Sequence, residues 1–355
     1  MIIEYPSYYK AFKCTASRCK TSCCSAGWEI LIDKETADFY KSVPGKFGDK
    51  LRSKIDFSKQ TKFKLESNGR CPFLNDNNLC DIYINLGEDH LCQICTEHPR
   101  FYECFKDRIE CGLGIYCEEA CRIILSQENE FTTYTEETSE IYNCEYKEKI
   151  YNYLRDNRSK IFKYLSNTSI DLNQRIADIL WFANTLQQNI DSDMLDDEDI
   201  FNVSSVEEKN IEPLFMYLLK LVPNDSRWFD YLNDSIEIYK NNIEKFHIFE
   251  KQNPEIQKYL QNLAIYYIYR YFLRGVYSED ILSPVKFMAF NIAIIKTLFF
   301  CKWIENGILN FSDCIYIVRR YAEEIECNDD NILNIHIACY EIENFSTEHL
   351  LSLFV

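Results

Sequence analysis

The chain has 355 residues with a formal net charge of −17, and 46% of its residues are apolar. This composition excludes a disordered chain, and the length allows one large core or two ordinary ones. The acidic balance also argues against nucleic acid as a partner, because affinity for phosphate backbones comes from Lys and Arg. Residues 1–121 carry a net charge of −1 and the remainder carries −16. Such an acidic remainder either attracts a lysine-bearing protein or only keeps the protein soluble.

An extended segment followed by a helix is predicted before residue 46. Trp28–Ile32 is rich in β-branched and aromatic residues, which favours a strand or a buried extended segment. Asp33 and Thr36 offer capping oxygens for a helix that runs toward Tyr40. Pro44-Gly45 is predicted to end that helix, because both residues interrupt helical backbone.

Turns and short helices are predicted between residues 46 and 95. Residues 46–70 are polar, and no helix is predicted there before the turn signal Asn68-Gly69. Cys71–Cys80 is predicted to turn back on itself, because its Asn and Asp residues tolerate left-handed backbone. Its two ends are therefore expected to meet in space. Ile82–Cys95 has helical apolar spacing interrupted at Gly87.

The remainder of the chain is predicted to be helical. Seven of the nine glycines lie at or before Gly114, so residues 122–355 lack the glycines that many strand turns need. Asp191–Glu208 holds eight acidic residues and is predicted to be an exposed loop. Apolar residues at three- and four-residue spacing predict helices over Gln174–Gln188, Glu212–Val222, Pro254–Arg274, Pro284–Trp303, Ser312–Cys327 and Asn331–Ile342.

These elements predict a mainly α fold with two domains. An irregular, cysteine-rich metal-binding domain over residues 1–125 is expected to pack on a multi-helix domain over residues 126–355. The most apolar stretch, Phe287–Cys301, is shorter than a membrane span and contains Asn291 and Lys296. It is therefore predicted to be a buried helix, and no membrane partner is expected.

The N-terminal sequence bears on the redox environment of the cysteines. It lacks the basic segment, apolar run and small-residue cleavage site of an exported protein. A cytoplasmic protein is therefore predicted, in which thiols stay reduced. Clustered cysteines are then better explained by a metal than by disulfides, since exported disulfide frameworks are usually shorter chains.

Twelve of the seventeen cysteines lie between Cys14 and Cys121. Among them, Cys92 and Cys95 form the one Cys-x-x-Cys pair of the kind found in zinc sites, whereas the first four have the irregular spacing Cys-x4-Cys-x3-Cys-Cys. Spacing alone favours neither structural zinc nor an iron-sulfur cluster. Some of these thiols are also expected to pack simply as small apolar side chains.

Cysteine-centred motifs recur through the first third of the chain. In chain order they are Phe12-Lys-Cys14, Cys19, Cys23-Cys24-Ser-Ala-Gly27-Trp28, Cys71-Pro-Phe-Leu, Cys80-Asp-Ile-Tyr, Leu91-Cys92-Gln-Ile-Cys95, Pro99-Arg100 and Tyr116-Cys117-Glu-Glu-Ala120. In this combination and order the chain resembles the flagellin lysine N-methylase (FliB) family. The helical remainder is similar to that family in general character.

The resemblance implies an enzyme that methylates lysine side chains of flagellin with S-adenosylmethionine and carries a [4Fe–4S] cluster. Carried over position by position, the candidate cluster ligands are Cys14, Cys19, Cys23, Cys24, Cys71, Cys80, Cys95 and Cys117. One cubane takes four thiolates, so about half of these have another role. Arg100 is expected to lie beside the cofactor, donating to a cluster sulfur or holding a carboxylate, or else to close its loop. The remaining thiols are expected to be core or incidental: Cys104, Cys111, Cys121, Cys144, Cys301, Cys314, Cys327 and Cys339.

Two alternatives to the enzyme stay open. One is a non-enzymatic protein in which zinc or iron holds the fold or is chelated, and the other is a redox protein that uses the cluster itself. Methyl transfer needs a neutral lysine amine, but Tyr and Glu are too plentiful here to single out a general base. No strand followed by a Gly-x-Gly turn and a helix indicates a nucleotide site, so S-adenosylmethionine is expected at the cluster or between it and the helices.

Two further features have a structural and a functional interpretation. Tyr266–Phe272 carries aromatic residues at helical spacing, which is more often typical of a core than of a cofactor site. His90 and His98 lie near the Cys-x-x-Cys pair, and a structural role is again the more common one.

Overall fold

The computed structural model describes residues 1–139, 145–200, 203 and 210–354. The described chain is mainly helical, as predicted. Its α-helices are α1 (Lys34–Ser42), α2 (Gly45–Lys54), α3 (Asp81–Leu86), α4 (Gln93–Glu97), α5 (Glu118–Leu125), α6 (Glu148–Leu165), α7 (Leu172–Asp191), α8 (Glu212–Leu218), α9 (Arg227–Asn242), α10 (Phe246–Gln252), α11 (Ile256–Tyr271), α12 (Gly275–Ser278), α13 (Leu282–Asn306), α14 (Phe311–Ile325), α15 (Asp329–Glu341) and α16 (Thr347–Leu351). Its strands are β1 (Ile2–Pro6), β2 (Ile55–Asp56), β3 (Lys62–Phe63), β4 (Arg100–Cys104), β5 (Arg108–Leu113) and β6 (Thr133–Glu137).

The chain divides into two compact units. The cysteine unit comprises Ala11–Phe101 and Cys117–Ala120, and the helical unit comprises Met1–Lys10, Tyr102–Tyr116 and Cys121–Val355. The sequence analysis places one boundary at residue 125, whereas the chain passes between these units several times. The difference arises from pairing between distant strands, of which local sequence patterns carry no sign.

A four-stranded sheet in the order β4-β5-β1-β6 joins the N-terminal strand to later segments. Strand β1 pairs in parallel with β5, where Ile3 lies opposite Ile109, and antiparallel with β6, where Ile3 lies opposite Glu136. The start of the chain is predicted to be a short extended segment, as β1 is, but no pattern in the sequence predicts β4, β5 or β6. Most of β5 is buried, and a strand buried on both faces lacks the alternation of apolar and polar residues that would mark it.

Helix α13 is the central helix of the helical unit. It contacts α7, α9, α11, α14 and α15, and its residues from Ser283 to Cys301 are all buried. The prediction of a buried helix is confirmed, and the helix ends before Gly307, whose φ is +70°. It is long and apolar enough to cross a membrane, but 83% of its apolar window is buried inside the structure, as in the core helix of a soluble protein.

The other helices predicted for this unit are also present. Helices α7, α11, α14 and α15 cover the predicted ranges with shifted ends, and α8 ends at Leu218 instead of Val222. Helices α6 and α9 are not predicted from the sequence. In the predicted acidic loop, residues 192–200 contain no helix or strand. The rest of that loop, apart from Val203, lies outside the described residues.

The first two helices of the cysteine unit lie against each other. Asp33 Oδ1 accepts a hydrogen bond from Thr36 N at 2.9 Å and caps α1, as predicted. Helix α1 ends before Pro44-Gly45, as predicted, and α2, which the sequence analysis does not predict, begins at Gly45. This short helix forms in a polar stretch because it buries Leu51 in the core of the unit.

The extended segment and the turns predicted for this unit are confirmed. Ile30 and Ile32 are buried. Cys71–Cys80 turns back on itself through a bridge between Leu74 and Cys80, with Asn78 in left-handed backbone at φ +56°.

Two glycines allow two loops of the cysteine unit to cross closely. Gly27 and Gly69 have φ values of +80° and +81°, and a Cβ added to Gly69 would lie 2.8 Å from Gly27 Cα. Near this crossing Cys71 N donates to Cys24 O at 2.8 Å. The crossing therefore brings together two segments that each carry cysteines.

Candidate functional site

The cysteine unit contains every predicted cluster ligand. Nine cysteines lie in it, namely the eight predicted ligands and Cys92. The helical unit contains the other described thiols: Cys104, Cys111, Cys121, Cys301, Cys314, Cys327 and Cys339. Cys144 lies outside the described residues. The nine cysteines of the cysteine unit are free thiols.

Four cysteines form a first group, which comprises Cys14, Cys19, Cys23 and Cys117. Burial raises the pKa of Cys117, and the nearby Cys14 raises it further. Burial also raises the pKa of Cys19 to about 11, with additional effects of Glu118 and Cys117. The pKa of Cys23 is raised by its hydrogen bond to Cys24 and by burial, and then by Cys117 and Cys14. These mutual effects define the first group, and Cys19 Sγ, 3.7 Å from Glu118 Oε2, marks where its two segments meet.

Glu118 links the segments that carry the first group. Its Oε2 accepts hydrogen bonds from Lys20 N at 3.0 Å, Thr21 N at 3.1 Å and Thr21 Oγ1 at 2.9 Å. Cys19 Sγ lies 3.7 Å from the same oxygen. The carboxylate thus fixes the loop of Cys19 beside Cys117. The sequence analysis does not single out Glu118, although it is part of the Tyr-Cys-Glu-Glu-Ala motif.

Five cysteines form a second group, which comprises Cys24, Cys71, Cys80, Cys92 and Cys95. Cys71 and Cys92 are buried in the apolar core of the unit, and the other three pack against that core. Burial raises the pKa of Cys71 to about 12, with further effects of Cys24, Cys80 and Cys92. Tyr40 lies beside this group, since Cys92, Cys95 and Cys80 add to the effect of burial in raising its pKa.

Cys92 is the member of the second group that the predicted ligand set omits. Its thiol hydrogen-bonds with that of Cys95, which lowers the pKa of Cys92 and raises that of Cys95. Cys95 N also donates to Cys92 O at 2.9 Å, so the pair forms one turn at the start of α4. The Cys-x-x-Cys spacing is the sequence signal for this residue.

Cys23 and Cys24 connect the two groups. They are consecutive in a 3-10 turn, Cys23–Ser25, which Ser22 Oγ caps by accepting from Cys24 N at 3.2 Å. Trp28 Nε1 donates to Cys23 O at 2.8 Å and holds the turn in place. The two thiols hydrogen-bond with each other, and this bond lowers the pKa of Cys24.

Backbone amides donate to sulfurs in both groups. The amide two residues further along is a donor to five of them, namely Cys14, Cys19, Cys71, Cys80 and Cys117. Such bonds stabilise thiolates, and they are among the features that set the potential of iron-sulfur clusters. In the helical unit, by contrast, Cys121 Sγ donates to Ile315 O at 3.8 Å, as a neutral thiol does.

The placement of these side chains can be compared with what a metal site needs. Among the described residues, no three Cys, His, Asp or Glu side chains are placed to hold one ion. A tetrahedral zinc site needs each thiolate at about 2.3 Å from a common point. Thiolates are the donors that iron-sulfur clusters use, and the metal-binding character predicted for residues 1–125 is not shown by the arrangement of the described side chains.

Arg100 lies in the cysteine unit with the thiols. Its Nη1 donates to Thr96 O at 3.0 Å, one turn back along the chain. Its guanidinium lies 5.3 Å from the ring centroid of Phe12, which precedes the first cysteine by two residues. These contacts hold the loop between α4 and β4.

The two histidines near the Cys-x-x-Cys pair stack on aromatic rings. His90 lies on Phe39 with 4.3 Å between centroids, and His98 lies on Trp28 at 5.8 Å. Burial, with the charge of Arg100, lowers the pKa of His98 to about 4. Both rings therefore have a packing role.

The helical unit contains a cavity of about 310 Å³ beside α12, α13 and α15. Its lining includes Asp280, Asp329, Tyr271 and His336. Burial lowers the pKa of His336, which keeps its imidazole neutral near pH 7. The volume is at the lower end of the range for small-molecule pockets, and the charged side chains of the lining are Asp280, Asp329 and Arg274.

The aromatic run Tyr266–Phe272 is core, as predicted. Glu326 Oε2 accepts hydrogen bonds from the hydroxyls of Tyr266 at 2.7 Å and Tyr271 at 2.8 Å, and it pairs with Arg270 at 2.8 Å. This buried network gives the hydroxyls partners within the fold, so the run is structural.

The first comparison is with models of known protein families. The model of the FliB lysine N-methylase C-terminal domain matches residues 158–353. The chain belongs to the FliB lysine N-methylase family. This match confirms the family resemblance seen in the cysteine motifs. It also covers the helices, for which the sequence pattern alone shows only a general similarity to the family.

Curated relatives of the FliB family also match this chain. It is 29% identical over 131 residues to a lysine-N-methylase of Salmonella typhimurium and 30% identical over 131 residues to the flagellar biosynthetic protein FliU of Salmonella muenchen. Each match covers 35% of this chain, and they cover 32% of the lysine-N-methylase and 77% of FliU. The chain thus spans about a third of the length of the lysine-N-methylase. No solved structure matches the chain.

Proposed function

We propose that this chain is a protein-lysine N-methyltransferase that uses S-adenosylmethionine to methylate flagellin in the cytoplasm. The observation that carries the proposal is the family match over residues 158–353, which is more than half of the chain. The flagellar name of one relative supports flagellin as the substrate. The acidic charge of the chain supports a lysine-bearing protein as partner in preference to nucleic acid.

The proposal includes a [4Fe–4S] cluster bound by predicted ligands in the cysteine unit, with zinc as the alternative metal. The reduced thiols and the amide hydrogen bonds to their sulfurs support a thiolate-bound cluster. When bound, the cluster would fix the loops and offer an iron to a substrate or cofactor group. Arg100 is proposed to lie beside the cofactor, where its guanidinium would donate to a sulfur or hold a carboxylate.

The proposed reaction moves a methyl group from the sulfonium of S-adenosylmethionine to lysine Nε. The carbon–sulfur bond breaks as the carbon–nitrogen bond forms, and S-adenosylhomocysteine leaves. The lysine must first lose a proton, because the ammonium has no lone pair for the attack and its pKa is about 10.4. The site therefore has to attract a cationic side chain and accept its proton.

The cavity of the helical unit has the chemistry for this lysine. Asp280 and Asp329 attract the ammonium group, and the charge of Arg274, which also lines the cavity, is paired with Glu103. His336 is neutral and lines the same cavity, so it is the proposed proton acceptor. We therefore propose this cavity as the lysine site.

The activity is tested by incubating the full chain, reconstituted anaerobically with iron and sulfide, with S-adenosylmethionine and the flagellin of the same genome. Mass spectrometry of the flagellin peptides is expected to show methyl-sized steps on lysines. A cluster-loaded protein that adds no such step would contradict the methyltransferase, and the metal-binding and redox alternatives would then account better for the thiols.

The position of the lysine site has its own test. Asp329→Asn is expected to lower kcat/KM by about tenfold or more, because a hydrogen bond to a charged group contributes about 1.5–3 kcal/mol. Asp330→Asn is the matched control, since the next residue of α15 is exposed and does not line the cavity. Equal activity of the two variants would show that the substrate lysine does not bind in this cavity. It would not contradict the proposed methyltransferase activity.

A further inference from the structure

We propose that the exposed apolar face of α15 is the docking surface for the substrate protein, and that it binds apolar side chains near the lysine that is methylated. The face comprises Leu333, Ile337 and Tyr340, and we call it the α15 face. The inference rests on the proposed function and deepens it, because it states what the substrate carries beside the lysine that enters the cavity.

Helix α15 has apolar residues on two sides. Ile335 and Ala338 are buried, and the helix contacts α13 and α14. Leu333, Ile337 and Tyr340 are nevertheless 57%, 41% and 63% exposed. A helix that packs on one side normally presents polar residues on the other. Single exposed apolar residues are ordinary, but three on one side of a helix indicate a surface that a partner covers.

The α15 face is continuous with the lining of the proposed lysine cavity. Its three residues follow each other at spacings of four and three, which places them on the same side of the helix. Leu333 itself lines the cavity, together with Asp329 and His336 of the same helix. At the other end of the face, Tyr340 hydrogen-bonds with Asp280, which also lines the cavity. A lysine in the cavity therefore brings its neighbouring residues to the α15 face.

The charge around the α15 face favours a lysine-bearing segment. Residues 321–355 contain eight acidic residues and no Lys or Arg. Of these acidic residues, Asp329, Asp330 and Glu341 lie on α15 and are exposed. Complementary charge attracts a basic partner and disfavours an acidic one. The occupant that fits is a polypeptide segment with both a lysine and apolar side chains.

The length of the α15 face limits the distance between these apolar side chains and the lysine. A helix advances about 1.5 Å per residue, so Tyr340 lies about 16 Å along the axis from Asp329 and Leu333 about 6 Å from it. An extended chain advances about 3.3 Å per residue, so the apolar residues of the substrate are expected within about five positions of the lysine.

The first test compares two exposed isoleucines of the helical unit. Ile337→Ser changes the middle of the α15 face, and Ile243→Ser makes the same change at a residue that is 48% exposed and lies outside α15 and the cavity lining. The full chain, reconstituted anaerobically with iron and sulfide, is assayed for methylation of the flagellin of the same genome. Ile337→Ser is expected to raise KM about tenfold with kcat little changed, because docking binds substrate and transition state equally. Ile243→Ser is expected to match the wild-type protein.

A binding measurement tests the surface without methyl transfer. Fluorescence anisotropy of labelled flagellin with the full chain, without S-adenosylmethionine, is expected to show about tenfold weaker binding for Ile337→Ser than for Ile243→Ser. That difference without any methylation would contradict the proposed function and support the docking surface. Equal KM and equal binding of the two variants would overturn the docking surface and would not contradict the methyltransferase, so the two failures are distinguishable.

The substrate side has a matching test. In a flagellin peptide with one methylated lysine, Ser in place of the apolar residues within about five positions is expected to raise KM about tenfold for the wild-type protein. The same peptide change is expected to have a much smaller effect on Ile337→Ser, because residues in contact are not additive. An unchanged KM of the wild-type protein would overturn the proposal, and this test decides it even if a variant unfolds.

The same variants decide whether the α15 face joins two copies of the chain instead. A concentration-dependent dimer of the wild-type protein, seen by analytical ultracentrifugation and lost in Ile337→Ser but not in Ile243→Ser, would overturn substrate docking. Circular dichroism is expected to be unchanged in both variants, because both side chains are exposed.

Discussion

The cysteine unit and the helical unit differ in the interactions that stabilise each of them internally. The helical unit surrounds α13, nineteen consecutive residues of which are buried. The cysteine unit has helices of five to ten residues and a core of twelve buried residues, two of which are cysteines. Many of its backbone groups form turns in which amides face sulfur atoms.

This difference indicates what each unit needs in order to fold. Apolar burial on the scale of α13 offsets the conformational entropy of the helical unit without help from a ligand. The short elements and small core of the cysteine unit leave more of that entropy to be offset, and metal–thiolate bonds are a strong source of folding free energy. We therefore expect the two units to respond differently when metal is removed.

Metal removal is expected to have the largest effect. Treatment of the reconstituted protein with a chelator under reducing conditions should abolish amide hydrogen-exchange protection over residues 11–101, because binding free energy is folding free energy at such sites. Protection in α13 should remain. Equal protection of the cysteine unit before and after metal removal would contradict this comparison.

The buried ion pair of the helical unit should give the next largest effect. Arg158 Nη1 lies 2.7 Å from Glu110 Oε2, and both side chains are at most 6% exposed. Arg158→Met leaves the carboxylate buried without its partner and is expected to cost about 3–5 kcal/mol of unfolding free energy. Urea denaturation measures the loss.

The matched control is an exposed pair on α13. Lys302 pairs with Glu305 at 3.0 Å near the surface, and Lys302→Met is expected to cost less than about 1 kcal/mol. The iron content should be unchanged in both variants. A similar small loss for Arg158→Met would mean that the buried pair is not important for the helical unit.

The crossing of loops in the cysteine unit should give an intermediate effect. Gly69→Ala places a Cβ 2.8 Å from Gly27 Cα at a residue with φ +81°. Gly45→Ala, with φ +74° and open space around it, isolates the conformational cost of about 1–2 kcal/mol. The Gly69 variant should lose more stability than the Gly45 variant and should bind less iron. Identical midpoints and iron contents would show that the close crossing is unimportant.

Removal of the Glu118 charge should give the smallest effect. Glu118→Gln keeps an acceptor oxygen for Lys20 N and Thr21 N but weakens these bonds, with an expected cost of about 1 kcal/mol. The iron lost should come from the first cysteine group, as measured by the rate of chelation. Asp38→Asn, on the exposed side of α1, is the control. An unchanged chelation rate for Glu118→Gln would show that Glu118 does not stabilise the first cysteine group.

Local patterns predicted much of this fold. The capping of α1 by Asp33, the return of Cys71–Cys80 and the burial of α13 follow from residue types that act on their own neighbours along the chain. Pro44-Gly45 also ends α1 as predicted, but the helix that follows, α2, is missed by local patterns. A Pro-Gly pair is a break signal wherever it stands, but burial of Leu51 in the core decides that a new helix begins there.

The sequence by itself determined the family resemblance, the mainly helical class and the set of thiols worth attention. Tertiary structure alone decided that β1 pairs with β5 and β6, so that the N-terminal residues belong to the helical unit. It also decided how the nine thiols divide into two groups, why Cys92 belongs to one of them and how Glu118 supports the other. The physical reason is that spacing along the chain fixes only near neighbours, whereas these groupings include contacts between residues as distant in the chain as Ile2 and Glu137.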